Sequence, residues 1–270
     1  MADIIIIGGG PAGVSAALTA KNRGKSVFIV SNGAEESNLW KAREITNYPG
    51  CPNLSGSDLL KTFRQQLDDA EIKVLPGRAL NAMHMGGLFG VSVGSDFFDA
   101  KTLILASGIV QQSAYEGEQE LLGRGVSYCA TCDGMLYKGK KVAVIGLNGE
   151  AESEAEFLRS IGVDVVYFDK TFAKNYKILG DGKVNAVEAE GRVFDVDGVF
   201  ILRSTIAPGN FLNGIELDGP HISVDSDMKT SIPGVFAAGD CTGKPYQIAK
   251  AVGQGNIAAL SACEFIDKGK

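Results

Sequence analysis

Residues 3–30 read DIIIIGGGPAGVSAALTAKNRGKSVFIV, and few stretches restrict a fold so tightly. An unbroken apolar strand meets a glycine turn, and a helix of small and apolar residues follows. Gly24 stops that helix, and a second strand begins, so the chain opens as a βαβ unit. The turn Gly8-Gly9-Gly10-Pro11-Ala12-Gly13 fits G-x-G-x-x-G in the context that gives this pattern its mechanism. Gly8 permits the tight turn, and Gly10 lets a pyrophosphate approach the backbone. Gly13 lets helix and strand pack closely, and the helix N-terminus favours the phosphate charge. The 35 glycines in 270 residues exceed the average of about 7%, and many follow apolar runs. The acid expected about 20 residues on is absent, since the second strand ends Val30-Ser31-Asn32 with only Glu35 and Glu36 nearby.

Further along, a helix is expected over 59–70, where Leu59, Leu60, Phe63 and Leu67 share a face. GLFGVSVG and TLILASG read as strands. A second βαβ unit begins at Lys141 with strand KVAVIG, a helix over 150–160 and strand VDVVYF. VNAVEAEGRVFDVDGVFIL has the alternation and glycine turns of short antiparallel strands. GVFAAGD is a last strand before a loop and a long helix. Two nucleotide-domain patterns thus stand in tandem with no Pro/Ser-rich linker, an α/β chain large enough for one large or two medium domains. A net charge of −6 with no basic run argues against nucleic-acid binding. No stretch of about 18 uncharged apolar residues is present, so no membrane span is expected. With no basic leader before the first strand, the expected location is cytoplasmic.

Cysteines stand at 51, 129, 132, 241 and 263, an odd set that argues against a secreted disulfide framework. In GVSYCATCDG, Cys129 and Cys132 form a C-x-x-C pair able to close a small disulfide, one thiolate being stabilised while the other attacks. Zinc competes poorly, because there is no second C-x-x-C and His84 and His221 are isolated, so no metal is expected. Unreactive cysteines are the remaining alternative. Cys51 and Cys241 read as small packing residues.

GGGPAG, LILASG and GVFAAGD together resemble the two-dinucleotide-binding flavoproteins, in which FAD lies across the first and last thirds of the chain. With ITNYPG at 45–50, GRGVSYCATCDG and SIPGVFAAGD in the same order, nearly the whole chain resembles the low-molecular-weight thioredoxin reductases. The resemblance implies two Rossmann-like domains: a discontinuous FAD domain over 1–112 and 232–270, and an inserted, shortened redox domain over 113–231. It implies that Cys132 faces the flavin, that Cys129 attacks a thioredoxin disulfide and that Asp133 protonates the leaving thiolate. FAD would be held by Gly8, Gly10, Pro11, Ala12, Gly13, Asn38, Asn47, Ala79, Gly108, Gly239, Asp240, Tyr246, Gln247 and Ile248. Asp240 would accept from a ribityl hydroxyl, and Asn38 stands where glutamine is usual. Tyr246 stands where the family has arginine; it stacks on the flavin or is an ordinary exposed or core aromatic. A homodimer is implied as well.

The second fingerprint departs from the family. Its loop reads Gly146-Leu147-Asn148-Gly149-Glu150-Ala151. Asn148 replaces the glycine of close approach, and Glu150 sets a carboxylate where a phosphate would sit. Asp169 and Lys170 stand in place of the arginines that grip a 2′-phosphate bidentately. Arg203, Ser204 and Thr205 crowd the nicotinamide side, and the helix expected after them is missing. The chain is therefore most like the ferredoxin-dependent flavin thioredoxin reductases, which lack NADPH motifs. A flavin takes electrons singly or in pairs, so an iron–sulfur donor can deliver twice. Lys138, Lys140 and Lys141, or Lys21, Arg23 and Lys25, are candidates to steer an acidic ferredoxin. Three alternatives stay open: an NADPH-dependent reductase, a flavin dithiol oxidase and a non-catalytic redox sensor.

Overall fold

The apolar run after Met1 becomes β1 (Ala2–Ile7), with Ile4, Ile5 and Ile6 wholly buried. A strand buried on both faces belongs at the centre of a parallel sheet. In this computed structural model, residues 1–51, 53–108, 115–203 and 208–269 are described, apart from the side chain of Glu36. The chain divides into two compact units, Met1–Val110 with Ala207–Lys270, and Gln111–Ile206.

In the first unit β1 leads through α1 (Pro11–Asn22) to β2 (Val27–Ser31), and α2 (Gly56–Asp69) leads to β3 (Lys73–Pro76). The helix expected from residue 59 starts earlier because Ser55 caps it, its hydroxyl accepting from the Asp58 N–H at 3.1 Å. β4 (Ala79–Met85), β5 (Leu88–Val93) and β6 (Asp96–Leu105) follow as an antiparallel meander. The sheet order is β3-β2-β1-β6-β5-β4.

The second unit holds β7 (Val126–Ser127), α3 (Ala130–Asp133), β8 (Lys141–Gly146), α4 (Ala151–Ser160) and β9 (Asp164–Phe168). β10 (Tyr176–Gly180), β11 (Val184–Ala189) and β12 (Arg192–Asp195) form an antiparallel sheet, and β13 (Gly198–Leu202) follows. The antiparallel expectation over 184–202 therefore holds only through β12. β13 pairs parallel to β7 and β8 in the order β7-β13-β8-β9, with all five residues buried. Leu121, Val126, Ile145, Phe168 and Ile201 share one core, while Val144, Leu158 and Phe200 share another.

Back in the first unit come α5 (Pro208–Phe211), the short pair β14 (Leu217–Asp218) and β15 (His221–Ile222), then β16 (Val235–Ala237) and α6 (Ile248–Asp267). β16 lies parallel to the last residues of β6, Val235 opposite Leu103. Leu212 bridges to Ala82, and Met228 and Val224 pack in the core built by β1, α1 and α6. Residues 208–231 thus belong with the first unit, and the division falls near 206 where the sequence reading put it at 231. α1 and α6 pack through small residues: a Cβ on Gly255 would lie 2.1 Å from the Ala12 carbonyl oxygen. Ser15 Oγ donates to the Val252 carbonyl at 2.7 Å, fastening the two helices.

Candidate active site

Two sites rise from these elements, one in each unit. In the first, β1 delivers the glycine turn onto α1. Gly8 has φ 112°, and a Cβ there would lie 2.2 Å from the Ala106 carbonyl oxygen. A Cβ on Gly13 would meet the Gly8 carbonyl at 1.9 Å, whereas one on Gly10 would meet no atom within 4 Å. The turn is thus closed on the protein side and open above Gly10. No side chain caps α1, Pro11 stands at its first position, and its first turn has no acid. Such an open, uncapped helix start fits a diphosphate. Ser31, at the position of the missing acid, accepts the Gly9 N–H at 3.1 Å.

The GVFAAGD loop comes to the same place, since a Cβ on Gly239 would lie 2.9 Å from the Ala12 Cβ. Asp240 is half-buried, and burial raises its carboxyl above the ordinary value while the Lys250 charge opposes that rise. Cys241 is buried, its thiol donating to the Ala238 carbonyl at 3.2 Å, and burial pushes it up to about 11. Asn47 Nδ2 donates to Gln247 Oε1 at 2.8 Å, joining the ITNYPG loop to the N-cap of α6, where Ile248 is the first helical residue. Tyr246 Oη lies 2.8 Å from His221 Nε2, a partner the sequence did not announce. Gly108 has φ 73° just past β6, Asn38 is exposed beyond the turn at Ala34–Glu36, and Ala79 opens β4 opposite Val93. The open turn and the half-buried Asp240 carboxyl fit FAD, with the glycine turn for its diphosphate.

The second site lies where β7 runs into α3. Cys129 and Cys132 form a disulfide with Cα atoms 5.4 Å apart. Cys129 is 7% exposed, whereas Cys132 and Thr131 are exposed. The Cys132 N–H points at Cys129 Sγ at 3.0 Å, and Thr131 Oγ1 lies 3.3 Å from the same sulfur. These polar groups can stabilise a thiolate on Cys129 once the bond opens. Asp133, half-buried, accepts at Oδ2 from the buried Ser127 hydroxyl at 2.7 Å, and Ser127 Oγ accepts the Cys129 N–H at 3.1 Å. Sequence alone gave Ser127 no role. Glu154 on α4 accepts the Ala130 N–H at 3.3 Å. Met135 and Leu136, just beyond α3, are 61% and 68% exposed.

Beside it stands the altered second loop. Asn148 Oδ1 accepts the Glu150 N–H at 2.9 Å and its Nδ2 donates to the Arg203 carbonyl at 3.2 Å, so the side chain takes up the loop's own polar groups. The Tyr167 hydroxyl sits 2.4 Å from where a Cβ on Gly146 would be. Glu150 is the N-cap of α4 without a side-chain bond, and Glu152 and Glu154 follow in its first turn, opposing any phosphate there. Arg203 pairs bidentately with Glu118, at 2.6 and 2.8 Å, and lies over the Tyr115 ring at 4.9 Å. Tyr128 donates to Glu118 at 2.9 Å, and burial with that negative charge raises its phenol far above the usual range. Ser204 and Thr205 lie outside the described residues. Among the described residues no cluster of three metal-ligating side chains occurs, and no helix is long and apolar enough to cross a membrane.

Comparison with known proteins gives this arrangement its relatives. The model of the pyridine nucleotide-disulphide oxidoreductase family matches residues 2–176 and 155–255. A thioredoxin reductase of Listeria monocytogenes is 31% identical over 308 positions, covering 98% of this chain and 94% of the relative. A ferredoxin-flavin thioredoxin reductase structure from Clostridium acetobutylicum is 41% identical, covering 99% of this chain and 98% of that one with a TM-score of 0.90. A thioredoxin reductase structure from Gloeobacter violaceus is 30% identical, covering 100% and 95%, with a TM-score of 0.81. Glycine turn, C-x-x-C disulfide and overall likeness agree: the chain belongs to the pyridine nucleotide-disulphide oxidoreductase family, among its thioredoxin reductase homologues, which are FAD-binding flavoproteins.

Proposed function

We propose that the chain is a thioredoxin-disulfide reductase that takes its electrons from reduced ferredoxin. One observation carries the reading: a C-x-x-C disulfide stands beside a dinucleotide loop whose polar groups are taken by Asn148 and whose helix start bears carboxylates. The likeness to the Clostridium acetobutylicum ferredoxin-flavin thioredoxin reductase, at 41% identity, supports the same donor. FAD, when bound, would supply the two electrons that open the Cys129–Cys132 disulfide. Gly8 to Gly13, Asp240 and the Asn47–Gln247 pair are the residues that would hold it.

The dithiol then does the work of exchange. The Cys129 thiolate attacks one sulfur of the thioredoxin disulfide, forming a mixed disulfide and releasing the other sulfur as thiolate. Asp133 gives that thiolate its proton. Cys132, as thiolate, attacks Cys129 Sγ, releases the second thioredoxin sulfur as a thiolate that takes its proton from solvent, and restores the intramolecular disulfide. Exposed Met135 and Leu136 offer an apolar surface beside the cysteines for the incoming protein. Exposed Lys138, Lys140 and Lys141 remain the ferredoxin-steering candidates, while Lys25 of the other set is paired with Asp267. The reading includes a cytoplasmic homodimer, whose assembly light scattering would measure.

The test is anaerobic. The oxidised holoprotein is mixed with NADPH, NADH or reduced ferredoxin, flavin bleaching is followed, and thioredoxin is added. Bleaching by ferredoxin followed by thioredoxin reduction is expected. Rapid bleaching by NADPH would sink the donor, and turnover of a small dithiol with oxygen alone would favour an oxidase.

A further inference from the structure

Two side chains on one face of α6, Lys250 and Gln254, reach back onto the loop that carries Asp240. Lys250 Nζ donates to the Gly239 carbonyl at 3.1 Å, to the Gly243 carbonyl, and to Thr242 Oγ1 at 3.4 Å. Gln254 Oε1 accepts the Gly239 N–H at 3.0 Å and lies 3.0 Å from the Thr242 hydroxyl. Spaced i and i+4, the two residues occupy one face of the helix. Side chains of α6 therefore meet both the N–H and the carbonyl of Gly239, the carbonyl accepting from the Thr242 N–H and hydroxyl as well. Gly239 has φ 85°, a conformation that needs external bonds to be fixed because glycine itself prefers no single region. The Lys250 ammonium uses its three protons on three neutral acceptors, and the Asp240 carboxyl receives none of them.

We propose that Lys250 and Gln254 are cofactor-positioning residues, a clamp on residues 239–243 that holds the Asp240 carboxylate ready for a ribityl hydroxyl of FAD. The clamp rests on the reading of Asp240 as a flavin ligand. Its energetic logic is preorganisation: a loop already fixed loses little freedom when ligand binds. Lys250 adds charge as well as geometry, since its proximity favours the ionised, accepting form of a carboxyl that burial disfavours.

The experiment measures FAD dissociation constants by flavin fluorescence on stripped, refilled protein. Lys250→Met and Gln254→Met are expected to weaken FAD by about tenfold, from the loss of bonds to a positioned loop. Lys250→Arg, which keeps the charge and donors, is expected to stay near wild type. Lys250→Met added to Asp240→Asn is expected to change little, because both act through one carboxylate. Gln254→Met carries the test if Lys250→Met does not fold. Wild-type affinity in both methionine variants while Asp240→Asn is weakened would overturn the clamp alone, as would an additive double variant. Wild-type affinity in Asp240→Asn would overturn the ligand reading and the clamp with it.

Discussion

Ser127 Oγ donates to Asp133 Oδ2 at 2.7 Å while it accepts the Cys129 N–H at 3.1 Å. The Cys129 carbonyl is a second acceptor for the same hydroxyl at 3.3 Å, longer than the bond to the carboxylate. Ser127 thus ties the Asp133 carboxylate to the Cys129 backbone and fixes where the acid stands relative to the disulfide. Ser127→Ala is expected to slow thioredoxin reduction about tenfold, a fraction of the 10²–10⁴ that a positioned acid contributes. Ser127→Thr, which keeps the hydroxyl, should recover most of the rate. Single-turnover oxidation of the photoreduced protein by thioredoxin measures both; an unchanged alanine variant would remove Ser127 from the proton path.

Glu118 is 2% exposed and accepts from Arg203, from Tyr128 and from the Tyr115 N–H. Removing one partner of a buried ion pair strands the other charge at a cost of about 3–5 kcal/mol. Glu118→Ala is accordingly expected to lower the unfolding free energy measured in urea by that order, with the loss largely restored in Glu118→Ala/Arg203→Met. A double variant as unstable as the single would show that the charge is not what suffers.

The three cysteines outside the disulfide differ in access. Cys51 is half-buried, whereas Cys241 and Cys263 are buried, and burial raises both of their thiols, Cys241 to about 11. At pH 8 a thiol with that value is thiolate in about one molecule per thousand. Alkylation of the native oxidised protein at pH 8 is expected to label Cys51 first and to spare Cys241 and Cys263 until it unfolds. Mass spectrometry of the labelled peptides decides, and fast labelling of Cys241 would contradict its burial.

Asp3 tests the acid side of stability. Burial alone would raise its carboxyl, but hydrogen bonds from Lys101 and Ser26 outweigh that and hold it at about 2. A value depressed on folding stabilises the fold above the unfolded carboxyl value near 3.9 and ceases to do so as pH falls through 2. Asp3→Asn should therefore be less stable than wild type at pH 6, by about 1 kcal/mol after solvent screening. The difference in urea midpoint should shrink from pH 4 downward; a gap constant across that range would refute the pairing.

How much was legible follows from how local each signal is. The strand–glycine–helix opening could be read because Gly8 to Gly13 and Ile4 to Ile7 are contiguous, and the C-x-x-C pair because its spacing is its geometry. β13 was misjudged although its sequence held a signal: GVFIL is an unbroken apolar run, the mark of a parallel strand, directly after the alternating residues of β11 and β12. The boundary near 206 was missed because Leu212 and Met228 announce no partner until the sheet they pack on exists. Ser127, Glu118, Lys250 and Gln254 have ordinary sequence surroundings, and only the fold gives them partners. Arg203 was seen as an obstruction, and its bond to Glu118 spans 85 residues.

The first unit is sewn together from the two ends of the chain, with Ser15 bonded to Val252 and Thr19 to Asn256, each 237 residues apart. On a ribosome this sets an order of events. The glycine turn emerges early but stands without α6, Asp240 and the β16 edge of its sheet until synthesis is nearly finished. Among the described residues, strands β7 to β13 pair only with one another, so the second unit can fold while the rest is still being made. The redox disulfide thus has a scaffold before its cofactor has a home, and a chain truncated before residue 239 would carry Cys129 and Cys132 with no complete flavin site to serve them.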